Sequence, residues 1–161
     1  MKKMLATAMV LVPFLLFLIQ WPLSAQEVQK QLNDSDLKRF IQTFQPIGDE
    51  LEKLGLDFET DEENPFTFPE AIMTDQRVLA ILRKYGWGAE FFPKTVVIMS
   101  AYTVVMLEAE VENQIKANPD MKDVIQSTFE GISAQLAGMV HPADIELVRG
   151  YSDQISTIAG Q

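Results

Sequence analysis

The chain has 161 residues, with 13 basic and 23 acidic side chains, a single histidine and no cysteine. Its net charge of −10 repels nucleic-acid phosphates and anionic lipid headgroups, which argues against nucleic-acid binding and against electrostatic attachment to a membrane. Without cysteine the chain can form no disulfide and perform no thiol chemistry.

The first 25 residues have the layout of a cleaved secretory signal peptide. A basic start, Lys2-Lys3, precedes an apolar run over residues 4–19, and Ala25 provides a small residue for cleavage. The alternative, an uncleaved anchor, is disfavoured because the run is short for a membrane span and a proline interrupts it. We predict a periplasmic or secreted protein in which residues 26–161 form a single helical domain.

Loss of the leader removes two lysines and leaves 11 basic against 23 acidic side chains, a net charge near −12. We expect such a surface to favour cationic partners. The simpler alternative is that this charge only keeps the protein in solution.

An amphipathic helix is predicted to begin near residue 34. Asp34, Ser35 and Asp36 are candidate N-cap residues. The apolar side chains that follow at three- and four-residue steps are Leu37, Phe40, Ile41, Phe44, Ile47, Leu51 and Leu54. Pro46 lies within this stripe and cannot donate a backbone hydrogen bond, so we expect a kink or a break there. Gly55 is placed to end the helix.

Residues 57–69 contain five acidic side chains and two prolines, which predicts a surface loop. The acidic side chains that alternate along it are Asp57, Glu59, Asp61 and Glu63. This alternation is typical of the first half of a calcium-binding loop, but the glycine and glutamate that such a loop requires later are replaced by Glu62 and Phe68. A weak divalent-cation site therefore remains the alternative to a solvated acidic loop.

A second helix is predicted from Glu70 to Tyr85, with Gly86 ending it. The linkers on either side of it are rich in aromatic residues, namely Phe66, Phe68, Trp87, Phe91 and Phe92. In one interpretation these rings line a groove that binds an apolar ligand or a partner segment. In the other they fold inward and close the ends of a helical bundle. The sequence leaves both interpretations open.

The central helix is predicted over about residues 93–117. From Thr95 to Leu107 it carries no charge, and its apolar residues fall on every side of the helical wheel, which is typical of a buried helix. This uncharged run of 13 residues is shorter than the roughly 20 that a bilayer requires, so we expect no transmembrane segment in the mature chain.

Two further helices are predicted to begin at Asn118-Pro119 and at His141-Pro142, where the proline occupies the first helical position. No stretch has the alternation of a strand. The sequence therefore predicts an all-α fold, a single compact bundle of about five helices around a buried central helix.

Few residues have catalytic potential. Glu108 and Glu112 lie one turn apart, but carboxylate metal centres in bundles also need Glu-x-x-His motifs, which this chain lacks. His141 has no serine in a nucleophile-elbow motif to act on, so we expect it to cap the last helix or to lie exposed. We predict no cofactor.

These patterns indicate a non-enzymatic binding or interaction protein of the bacterial envelope. Its expected partner is another envelope protein or an apolar ligand, bound at the linker aromatics. The alternative is a weak divalent-cation-binding or accessory enzyme protein that uses the acidic loop over residues 57–63.

Overall fold

The computed structural model describes the backbone of residues 28–56, 68–137 and 139–159, and the side chains of these ranges except at 131–137. Its helices are α1 (Asp34–Glu52), α2 (Glu70–Thr74), α3 (Gln76–Lys84), α4 (Phe91–Ala117), α5 (Lys122–Ala137), α6 (Pro142–Arg149) and α7 (Ser152–Ala159). A short 3-10 turn, Pro119–Met121, joins α4 to α5. The described ranges contain no strand, so the all-α prediction is confirmed.

Helix α4 is the element around which the others are arranged. It has its most extensive contacts with α6 and also packs against α5 and α7. Its buried residues are Phe91, Phe92, Thr95, Val97, Ile98, Ser100, Ala101, Val104 and Val105. The prediction of a buried central helix is therefore confirmed for the first half of α4, whereas none of its residues after Val105 is buried.

The length and composition of α4 also resemble those of a membrane span. The helix has 27 residues, and its most apolar window of 18 residues has a mean hydropathy of 1.3. Half of that window is buried inside the protein. A core helix passes the same test, and the burial of Ile98 and Ala101 among other helices is the behaviour expected of one.

Helix α1 is capped one residue earlier than predicted. The side chain of Asn33 accepts a hydrogen bond from the backbone N–H of Asp36, and the Asp36 carboxylate accepts one from the backbone N–H of Asn33, each at 3.1 Å. This reciprocal pair is a capping box, in which the third helical residue completes the cap. The predicted candidates Asp34, Ser35 and Asp36 all lie in the first turn of the helix, and the N-cap is the residue before them.

Pro46 does not break α1, which is continuous from Asp34 to Glu52. The sequence left a kink and a break as alternatives, and the described backbone excludes the break. The helix ends in a turn whose last residue, Gly55, has a φ of +60°. Glycine adopts this left-handed conformation without a steric penalty, so Gly55 suits the end of this turn. The C-cap of the helix is Lys53, two residues before the predicted Gly55.

The described residues form seven α-helices where the sequence predicted about five, because two predicted helices are each divided. Asp75 separates α2 from α3: its backbone is extended, and its carboxylate caps α3 by accepting the backbone N–H of Arg77 at 2.7 Å. The Arg77 guanidinium also bonds this carboxylate and holds the pKa of Asp75 at about 2. Gly150 and Tyr151 form the turn that separates α6 from α7.

Candidate functional site

Four of the five linker aromatics lie together in the structure, at the beginning of α4. Phe91 is the centre of this group, with its ring centroid 5.5 Å from that of Trp87 and 5.7 Å from that of Phe92. Phe68 packs on the other side of Phe92 at 4.8 Å. Phe40 of α1 stacks against Phe91 at 6.5 Å, so the group also joins α1 to α4.

Trp87 is fixed in this group by polar contacts as well as by packing. Its indole Nε1 donates a hydrogen bond to the hydroxyl of Thr43 at 2.9 Å. The guanidinium of Arg39 lies 4.8 Å from the ring centroid and donates a hydrogen bond to the backbone carbonyl of Gly86 at 2.6 Å. A buried indole whose N–H is satisfied in this way is a stable part of a core.

Burial decides between the two interpretations of the aromatics for three residues. Trp87, Phe91 and Phe92 are 2%, 4% and 1% exposed, so they pack in the core and do not line an open groove. Phe68 is half-buried, and Phe66 lies outside the described residues. The burial of these three rings favours the inward-folding interpretation for them.

The predicted cation site, Asp57, Glu59, Asp61 and Glu63, lies outside the described residues. Within the described ranges, no three His, Asp or Glu side chains are grouped as a metal would require. Glu108 and Glu112 instead form ion pairs with basic side chains. Arg149 of α6 bonds Glu108 at 2.6 Å, and Lys116 lies 3.6 Å from Glu112. The guanidinium of Arg149 has its pKa raised mainly by the bond to Glu108.

His141 caps α6, which was one of the two alternatives expected for it. Its Nδ1 accepts a hydrogen bond from the backbone N–H of Ala143 at 3.1 Å, and Pro142 occupies the first helical position. The geometry gives His141 a structural role as the cap of α6.

Asp144 is the most deeply buried charged residue in the described chain, and the sequence did not single it out. Its side chain is fully buried and accepts hydrogen bonds from the backbone N–H groups of Gln31 at 2.9 Å and Leu32 at 3.0 Å. This carboxylate fastens the segment before α1 to the first turn of α6. An acidic residue near a helix start is expected from the helix dipole, but nothing in the sequence indicates a partner 112 residues away.

A second carboxylate, Asp36, joins α1 to α4 close to the aromatic group. It is 4% exposed, and Lys94 of α4 bonds it at 2.7 Å. The same side chain completes the cap of α1, so its two oxygens are both engaged. A buried carboxylate that is paired and hydrogen-bonded in this way fixes the relative position of the two helices.

The remaining candidate surface is the helical hairpin, defined here as residues 106–137 and comprising the second half of α4, the 3-10 turn and α5. No residue from Met106 to Glu130 is buried. The apolar side chains that are exposed include Met106, Met121 and Val124, the last two at 52% and 60%. Exposed apolar side chains of this size make the hairpin a candidate interaction surface.

Replacing Asp144 by Asn is expected to lower the free energy of unfolding by about 2 kcal/mol, because an amide cannot accept both buried N–H groups and its own NH2 would face one of them. Urea unfolding measures this loss. Hydrogen exchange at the amides of Gln31 and Leu32 should accelerate in the same variant.

The matched control for this change is Glu146→Gln, which removes the same charge from an exposed position on the same helix. It should leave stability within about 0.5 kcal/mol of the original. Equal stability and equal amide exchange in the two variants would show that the Asp144 carboxylate does not hold the segment.

Replacing Trp87 by Ala is expected to cost about 3–5 kcal/mol of stability, because a buried ring leaves a cavity in the core. Trp87→Phe should cost less, since it keeps most of the volume and loses chiefly the bond to Thr43. Met121→Ala, at an exposed position, is the control. A Trp87→Ala protein with an unchanged, cooperative thermal melt would place this ring on a surface after all.

Comparison with known proteins gives no match to this chain among family models, curated proteins or solved structures.

Proposed function

We propose that this protein is an exported, non-enzymatic interaction protein of the bacterial envelope, which binds through the helical hairpin. One observation carries this proposal. All the large apolar side chains that are exposed in the described residues lie on the hairpin or two residues beyond its end: Met106, Met121, Val124 and Met139. Exposed apolar side chains confined to one part of the described sequence give that part a surface suited to another apolar surface.

The side chains that could in principle act in catalysis have structural roles instead, which supports binding rather than catalysis. His141 caps a helix, Asp144 holds the segment before α1, and Glu108 is paired with Arg149. A general base or a nucleophile needs a reactive atom that can reach a substrate.

The basic and apolar leader ending near Ala25 supports export of the chain. A chain without cysteine is stable in an oxidising compartment only if its core suffices. The core described above is continuous and is built on α4, with additional fixed points at Asp36 and Asp144.

The alternative, a weak divalent-cation site on the acidic loop over residues 57–63, has no described contact to support it. It predicts a protein that carries a metal ion after purification, and that loses this ion to a chelator.

Native mass spectrometry of the protein recovered from its own host tests the proposal. The chain is expressed with its leader, the envelope fraction is separated from the cytosol, and the mass is read before and after addition of EDTA. We expect the mass of residues 26–161 in the envelope fraction, together with a heavier species that contains a second protein. A full-length, unbound chain confined to the cytosol would contradict the proposal, and a mass increment removed by EDTA would favour the cation alternative.

A further inference from the structure

None of the apolar side chains described on the hairpin is fully covered. Val111 and Ile115 of α4 and Ile125 and Phe129 of α5 are only half-buried, although α4 and α5 pack against each other. Two packed helices leave a groove along their length, and a third helix laid in it would cover such half-buried residues.

The exposed apolar side chains at the far end of the hairpin lie close together in sequence. Met121 is the last residue of the 3-10 turn, and Val124 lies three residues later in the first turn of α5. Three of the four exposed apolar residues are methionines, whose flexible side chains adapt to the surface that they contact.

The charges around these residues decide what kind of helix fits. Between Met106 and Glu130 the exposed carboxylates are Glu110, Glu112, Asp120, Asp123 and Glu130, against two lysines, Lys116 and Lys122. Lys116 is already paired with Glu112. The surface is therefore acidic around its apolar residues, and it attracts a partner that carries basic residues beside an apolar face.

The same charge argues against a second copy of this chain as the occupant. Each copy carries the same carboxylates beside the same apolar side chains, so two hairpins brought together would repel each other, and the net charge of each chain adds to the repulsion. Acidic segments of the chain itself, such as residues 57–63, are disfavoured for the same reason.

We propose that the helical hairpin is the docking surface for a basic amphipathic helix of a partner protein, with Met121 and Val124 as apolar contacts and Asp120 and Asp123 as the carboxylates beside them. This assignment rests on the proposed binding function and adds to it the partner's chemistry and the part of the surface that it contacts. The binding mode is that of an amphipathic helix whose apolar side chains enter a groove between helices.

The test uses a synthetic helical peptide of leucine and lysine with leucines at positions i, i+3, i+4 and i+7, and isothermal titration of the purified protein with it. Met121→Gln together with Val124→Thr removes the apolar contacts while it preserves side-chain size, and we expect this pair to weaken binding about tenfold. Asp120→Asn together with Asp123→Asn should weaken binding several-fold, and more so at low salt.

The control is Asp49→Asn together with Glu52→Gln, two exposed carboxylates near the end of α1. This pair removes the same charge far from the hairpin in sequence and should leave the dissociation constant within twofold. Equal weakening by the two charge-removing pairs would overturn the assignment, because it would show unspecific attraction of the peptide to an acidic protein. A protein dimer that the Met121→Gln, Val124→Thr pair dissociates would also overturn it in favour of a second copy.

The same variants separate this assignment from the proposed function. A partner protein that is recovered from the envelope with the original chain, but not with the Met121→Gln, Val124→Thr pair, supports both. A partner that is still recovered with the Met121→Gln, Val124→Thr variant would support the binding function. It would overturn the assignment of the hairpin as the binding surface. Thermal melts of the variants should match that of the original protein, because the two side chains are more than half exposed.

Discussion

The structure depends on the burial of one uncharged helical stretch, the first half of α4. Between Phe91 and Val105 this helix presents buried side chains to elements on several sides, with α6 against it for the longest stretch and the aromatic group at its beginning. Each valine or isoleucine buried there contributes roughly 1.5–3 kcal/mol relative to exposure. The acidic second half of the same helix has no buried residue, so α4 passes from core to surface near Met106. From there it continues as the first helix of the hairpin.

Two carboxylates give this apolar core its defined geometry. Asp36 links the start of α1 to Lys94 on α4, and Asp144 holds the backbone before α1 against the start of α6. Hydrophobic burial is non-directional and tolerates small shifts between helices, whereas charged hydrogen bonds at 2.7–3.0 Å do not. The molecule therefore combines a firmly positioned region, which contains α1 and α6, with a hairpin whose apolar residues are still partly exposed to water.

Periodicity and composition predicted the parts of the fold that local rules control. The buried first half of α4 follows from the hydrophobic pattern, and the cap formed by His141 follows from helix-start chemistry. Gly55 lies in the turn after α1, as its conformational freedom predicts, although α1 itself ends at Glu52. The division at Asp75 was missed because an aspartate within an amphipathic stripe reads as a solvated helical residue. Asp144 was missed, and Asp36 was predicted only as a candidate cap, because Leu32 and Lys94, the partners that give these carboxylates their structural role, are distant in sequence. The sequence could not decide whether the linker aromatics pack in the core or line a groove, because an aromatic residue in a linker has the same sequence pattern in both cases.

Native-state hydrogen exchange on the protein tests the division between core and hairpin most directly. If the first half of α4 organises the fold, the amides of Ile98, Ala101 and Val105 should exchange only through global unfolding, with the slowest rates in the chain. Amides of α5 should exchange through local opening with a smaller free energy, and a bound basic helix should slow them. Equal protection of α4 and α5 in the unbound protein would contradict the account, because it would show that the hairpin is as much a part of the core as the helix on which the core is built.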